Sequence, residues 1–218
     1  MKTNEERLHD LMNFMDGLSR IHSSDIPNID LYMDQVTTFM DTRLASSRSQ
    51  GKDHVLTKTM INNYAKNNLL PPPEKKKYTR NHILLLTFIY YFKNVLSLKD
   101  IEQILAPVAD GHFAPDSSPD LASLYEEVFS LEAEQRKRLI EDVKAKFDAA
   151  MKTFQNSKEP SSSLKDDSDQ EYLRLFAFIC ELAFDVYLKK EMIEMIAEQL
   201  RQEAATETKK KKGALQNR

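Results

Sequence analysis

Lys58, Thr59, Asn62, Asn63 and Lys66 are the residue types that read base edges and phosphates in a DNA groove, and their spacing puts them together. Met60, Ile61 and Tyr64 recur at helical spacing on one side of residues 57–67, so these five fall on the other. Asparagine suits adenine because one amide accepts from N6 and donates to N7. Thr57 opens the same segment with a hydroxyl. A short distance on, Lys75, Lys76 and Lys77 place three cations in a row, and Arg80 adds a fourth. Phosphate contacts of this kind position a protein on a duplex, while the base contacts specify the sequence.

Other chemistries find little support. His9, His22, His54, His82 and His112 are scattered, with no pair at metal-ligand spacing, and Cys180 is the single cysteine. Neither a metal site nor a cofactor is expected. Glu126/Glu127 and Glu141/Asp142 sit at consecutive helical positions and read as solvated faces, not as an acid–base dyad. Only 4 glycines occur, too few for Gly-rich phosphate loops, and no nucleophile elbow or Ser/His/Asp arrangement is visible, so no catalytic residue is assigned.

The elements that must position these residues follow from periodicity and punctuation. A first helix is expected over residues 4–18, with Leu8, Leu11, Met12 and Met15 on one face. A second starts near Asp30 and turns Tyr32, Met33, Val36, Met40 and Leu44 inward. Residues 45–54 read as a polar loop. The third helix opens at Thr57 and ends near Asn67; Pro71, Pro72 and Pro73 then force extended geometry. Thr79 caps a fourth helix carrying Ile83, Leu86, Ile89 and Tyr90 inward, and Ser97 with Asp100 opens a short fifth. The prolines and Gly111 within residues 107–119 suggest a domain boundary. Further helices are expected over 121–130, 131–154, 170–188 and 190–203, the 170–188 helix being the most buried because it is apolar nearly all round. Residues 156–168 read as a connector.

Charge is unevenly distributed behind the net −3. Residues 52–99 carry a balance of +7, residues 109–208 one of −10, and residues 209–218 one of +5. A basic segment followed by an acidic one suggests a polyanion-binding head on a body of different function. The longest apolar run, residues 83–92, is too short to cross a hydrocarbon core of about 30 Å, so no membrane association is expected. Early acidic residues argue against a signal peptide, and a lone cysteine fits a reducing cytoplasm. Cys180, inside an apolar stretch, is expected to be a buried, inert thiol.

The order helix, turn, helix, extended basic loop, helix, short capped helix is the plan of a winged helix-turn-helix. Residues 57–72, Thr-Lys-Thr-Met-Ile-Asn-Asn-Tyr-Ala-Lys-Asn-Asn-Leu-Leu-Pro-Pro, resemble the MerR-type pattern, whose recognition helix runs through Leu-Arg-Tyr-Tyr-Glu to Gly-Leu-Leu-Pro-Pro. Tyr78-Thr79 resembles the family's Tyr-Ser step, and Ser97-Leu98-Lys99-Asp100-Ile101 its Ser-Leu-Glu-Glu-Ile step. With the stretch from Ile29 to Val36, the chain is similar to a bacterial family of unknown function that carries such a head, over roughly residues 26–105. The resemblance adds Tyr64 and Tyr78 to the candidate DNA-binding set, although Tyr64 lies on the inner face, where a core role is favoured over a contact. Asn62 and Asn63 replace the family's Arg-Tyr pair, the wing is shorter, and residues 45–54 make a longer turn. The family dimerises through one long helix after the head, which Pro107, Gly111, Pro115 and Pro119 would break here.

The expected architecture is therefore all-α with at most a minimal β wing. A winged helix-turn-helix domain over residues 1–108 precedes an acidic helical bundle over 119–206 and a basic disordered tail over 207–218. The expected function is sequence-specific regulation of transcription of bacterial type. Double-stranded DNA and a second copy of the chain are the expected partners, and the helical body is where an effector would bind. The alternative is a protein-interaction module that keeps the winged-helix fold without DNA binding.

Overall fold

Local capping chemistry sets where several of the helices begin. Thr3 Oγ1 accepts from the Glu6 N–H at 3.2 Å while the Glu6 carboxylate accepts from the Thr3 N–H at 2.8 Å, a reciprocal capping box that starts α1 (Asn4–Gly17). Thr57 and Ser97 each accept an N–H three residues on and start α3 (Lys58–Lys66) and α5 (Leu98–His112). The remaining elements are a 3-10 turn at Ser23–Asp25, β1 (Leu31–Tyr32), α2 (Met33–Arg43), β2 (Lys77–Tyr78), α4 (Arg80–Phe92), α6 (Leu121–Met151) and α7 (Asp167–Gln216). The computed structural model describes residues 2–18, 20–44, 55–154 and 167–216. The loop expected at 45–54 lies outside these, as does the connector expected at 156–168 as far as residue 166. The described chain is mostly helical with one two-stranded antiparallel sheet, in which Leu31 faces Tyr78 and Tyr32 faces Lys77.

The chain divides into two compact units, Ser19–Phe129 with Lys190–Arg218, and Met1–Leu18 with Ser130–Lys189; α6 and α7 contribute residues to both. In the first, α4 is the central element: every residue from His82 to Ile89 is buried, and Thr87 satisfies its hydroxyl by donating to the Ile83 carbonyl at 2.9 Å. Phe88, Tyr125 and Phe129 form an aromatic cluster beside it. The Tyr125 hydroxyl donates to the Ile21 carbonyl at 2.6 Å, and burial pushes its pKa far above the ordinary value, so it remains a donor. In the second unit, Val143, Phe147, Ala150 and Phe178 make a small core against which Leu8, Leu11 and Met12 of α1 pack. Arg136 donates to the Leu18 carbonyl at 2.8 Å and to the Met15 carbonyl at 3.3 Å, which also accepts the Leu18 N–H, and so ties down the end of α1.

Several expectations change. α1 groups with residues 130–189, not with a head over 1–108, because its apolar face finds its core there. The segment from 107 to 119 is not a unit boundary: α5 runs through Pro107, and Val108, Ala109 and Phe113 beyond it pack on the main core. That burial outweighs the hydrogen bond the proline removes. Tyr32 is not a core residue of α2 but an exposed member of β1, and α2 begins only at Met33. The breaks expected at 130 and 189 are absent, since nothing there is Gly or Pro. Around the second, Lys189 pairs with Asp185 and Lys190 with Glu194, both at helical i,i+4 spacing. Helix α7 also runs on to Gln216 through the stretch expected to be a disordered tail; four lysines, Ala214, Leu215 and Gln216 there carry good helix propensity, which Gly213 offsets only in part. Finally, residues 170–188 are not the most buried helix. Phe178 alone of that stretch is buried, Cys180 is half-buried, and several large apolar side chains are exposed.

Candidate nucleic-acid interface

All candidate residues belong to the unit containing residues 19–129. Ile61 and Tyr64 anchor α3 in the core, with Leu56 before it and Leu69 and Leu70 after it. Packing of that face leaves Lys58, Thr59, Asn62, Asn63 and Lys66 exposed on the other, as the spacing requires. Thr57 is half-buried and its hydroxyl is committed to the Met60 N–H. The helix ends in a Schellman motif: the Leu69 N–H reaches the Tyr64 carbonyl at 2.9 Å and the Asn68 N–H the Ala65 carbonyl at 3.4 Å. Asn68 takes the left-handed backbone this closure needs, with φ 58°, at the position where the MerR pattern has glycine.

The segment expected to be a wing is a tight turn over Glu74, Lys75, Lys76 and Lys77. The Lys77 N–H donates to the Glu74 carbonyl at 2.8 Å, and Lys75 and Lys76 have φ of 48° and 64°. Positive φ at both central residues is the requirement of a type I′ turn, which ordinarily selects Asn-Gly. Here two lysines hold that strained conformation, both exposed. Lys77 lies in β2 with its ammonium 5.6 Å from the centre of the Tyr32 ring.

Two of the candidates, Tyr78 and Arg80, are placed otherwise than expected, while Tyr64 takes the inner-face position its spacing gives it. Tyr64 and Tyr78 are each only 3% exposed, and burial raises both hydroxyl pKa values, so they are core residues and not contacts. Arg80 is half-buried and its guanidinium donates to the Ser23 carbonyl at 2.9 Å, which ties it to a neighbouring loop instead of freeing it for phosphate. Lys58 is exposed but ion-paired with Asp34 of α2. A surface pair of this kind is weak and leaves the lysine competent to change partners. No local signal in the sequence identifies Asp34 or Ser23 as these partners, because both pairings join segments distant along the chain.

A cleft of about 750 Å³ lies beside the wing, lined by Asp30, Glu74, Arg80, Asn81, His82 and Asp120 among others. His82, one of its lining residues, is buried: Nδ1 accepts from the Thr79 N–H at 3.0 Å, so Nε2 carries the proton and donates to the Pro71 carbonyl at 3.2 Å. The ring makes edge contacts with Tyr78 and Phe113. Burial lowers the His82 pKa below its ordinary 6.5, and the Pro71 and Pro72 carbonyls oppose this only in part. The unfolded chain therefore takes up the proton first as pH falls. Stability owed to His82 is complete above about pH 6.5 and is lost progressively below it, down to the folded-state pKa. The urea midpoint is expected to drop between pH 7.5 and 5.5, and the drop should shrink in His82→Gln; an equal drop in both would remove His82 as the cause. Among the described residues, no group of three or more His, Cys, Asp or Glu gathers as metal ligands do.

Residues 21–128 match the family described as Domain of unknown function (DUF1836). The match coincides with the stretch 19–129 of the unit that holds α3 and the wing, so the candidate interface lies wholly inside it. No curated protein and no solved structure matches the chain. Among the described residues, no helix is long and apolar enough to cross a membrane.

Proposed function

We propose that the DUF1836 segment is a DNA-binding head of winged helix-turn-helix plan and that the chain is a cytoplasmic, sequence-specific regulator of transcription of bacterial type. The observation that carries this reading is the wing turn. Two adjacent lysines hold left-handed backbone conformations where Asn-Gly would be cheaper, and strain of this sort persists at sites where the side chain itself is used. The exposed face of α3 supports it with two amides and two amines on a helix whose opposite face is fixed in the core. In this reading α3 enters a major groove, Asn62 and Asn63 read bases, and Lys58, Lys66, Lys75 and Lys76 meet phosphates.

Selection of bound sequences from a random duplex pool tests the reading directly. An enriched motif, bound with strong salt dependence, is expected; Asn62→Ala or Asn63→Ala should relax the preference at single positions. Absence of both enrichment and salt-sensitive binding would overturn it. Asp34→Asn gives a test with the opposite sign. Freed of its carboxylate partner, Lys58 should raise duplex affinity several-fold at low salt, and an unchanged affinity would remove Lys58 from the interface.

A second reading is favoured by a specific observation. Arg80 is held by Ser23, and Asp30, Glu74 and Asp120 line the cleft beside the wing, where they would repel phosphate. A winged-helix module that binds a protein instead of DNA would keep the fold and present this mixed surface. Such a module would yield no enriched motif.

A further inference from the structure

Helix α7 leaves an apolar stripe open over its first half. Tyr172, Phe176, Ile179, Ala183 and Val186 follow one another at three- and four-residue spacing, and Tyr187 lies four residues after Ala183, so all six share one face. The five larger ones are between 52 and 63% exposed. The opposite face, through Phe178, is the one committed to the core with Val143, Phe147 and Ala150. No charged residue interrupts the stripe, and the same spacing carries it to Asp169 at one end and Lys190 at the other.

We propose that this stripe is a homodimer interface in which α7 pairs antiparallel with α7 of a second copy. Three features commit it to that partner. The first is area. Fully accessible aromatics present about 150–250 Å² each, so the stripe leaves on the order of 600 Å² open, the upper end of what monomers expose. Two such faces cover about 1,200 Å² in total, the lower bound of stable, specific interfaces. The second is shape. About a two-fold axis near Ile179, Phe176 of one copy meets the small Ala183 of the other, Tyr172 meets Val186 and Tyr187, and Ile179 meets its own counterpart. The third is charge: the same axis sets Asp169 against Lys190 at both ends, whereas a parallel pair would set like against like and Phe176 against Phe176. The resulting seam has the three-four spacing of a coiled coil and opposes the two helix dipoles favourably.

Sedimentation equilibrium of the full chain without DNA tests this independently of what the head binds. The wild-type chain is expected to be dimeric at micromolar concentration. Ile179→Glu, which brings two carboxylates together at the axis, should be monomeric with unchanged helicity, since Ile179 is outside the core. Asp169→Lys should weaken the dimer by about tenfold or more, and adding Lys190→Asp should restore it. This swap uses surface positions and reads the same seam if Ile179→Glu fails to fold. A monomeric wild-type chain overturns the proposal, including the case in which the stripe captures a different protein. A dimer that survives Ile179→Glu, or a swap that does not restore, overturns the face or the antiparallel register.

Discussion

Replacing Lys75 and Lys76 by Asn and Gly is expected to make the protein more stable and to weaken its binding to DNA. The two effects come from different parts of the same side chains. Lys75 and Lys76 have φ of 48° and 64°, a region where an L residue with a Cβ is disfavoured by roughly 1–2 kcal/mol. Asn-Gly adopts the type I′ turn without that strain, so a stability gain of about 1 kcal/mol or more is expected by urea denaturation. The change also removes two cations from the proposed phosphate interface. For each phosphate no longer neutralised, the dependence of log affinity on log salt should flatten by about 0.9. A hydrogen bond to a charged group is worth about 1.5–3 kcal/mol, so affinity at low salt should fall by roughly 100-fold. Lys77→Ala added to this pair should act less, because its ammonium already rests over the Tyr32 ring. A stabilised variant that binds DNA as well as the parent would show that the wing lysines touch no phosphate. Only α3 would then remain as a DNA-reading element.

Tyr64→Ala is expected to lose about 3–5 kcal/mol of stability, as truncation of a buried aromatic does. Tyr64 is 3% exposed in the main core, and its carbonyl accepts the Leu69 N–H that closes α3. A loss of that size is a large share of the roughly 5–15 kcal/mol that typical domains possess. The variant should therefore unfold at much lower urea and lose DNA binding only as a consequence. Tyr64→Phe separates the two roles. It keeps the ring and the packing, and should leave both the urea midpoint and the DNA affinity close to those of the parent. If Tyr64→Phe folds normally but binds DNA poorly, the hydroxyl is a contact, and its burial in the free protein must be relieved on binding.

What the sequence determined by itself was local. The bounds of α3 followed from Thr57 as its cap and from the Leu-Leu-Pro-Pro exit, and its inner and outer faces followed from the spacing of Met60, Ile61 and Tyr64. The capped starts of α4 at Thr79 and of α5 at Ser97 were equally legible, as was the mostly helical composition of the chain. Caps, turns and periodicity act within a few residues, so one stretch of chain contains both partners of each interaction. Tertiary structure decided the rest, because the competing partners lie far apart along the chain. Only packing assigned α1 to the unit of residues 130–189, carried α5 through Pro107, and put Tyr78 in the core. Only packing brought Asp34 to Lys58 and Ser23 to Arg80, which changes which cations remain available. The same holds for residues 170–188, whose composition indicates burial. A helix apolar nearly all round is buried only on the sides where neighbours stand, and the described residues supply too few to cover it.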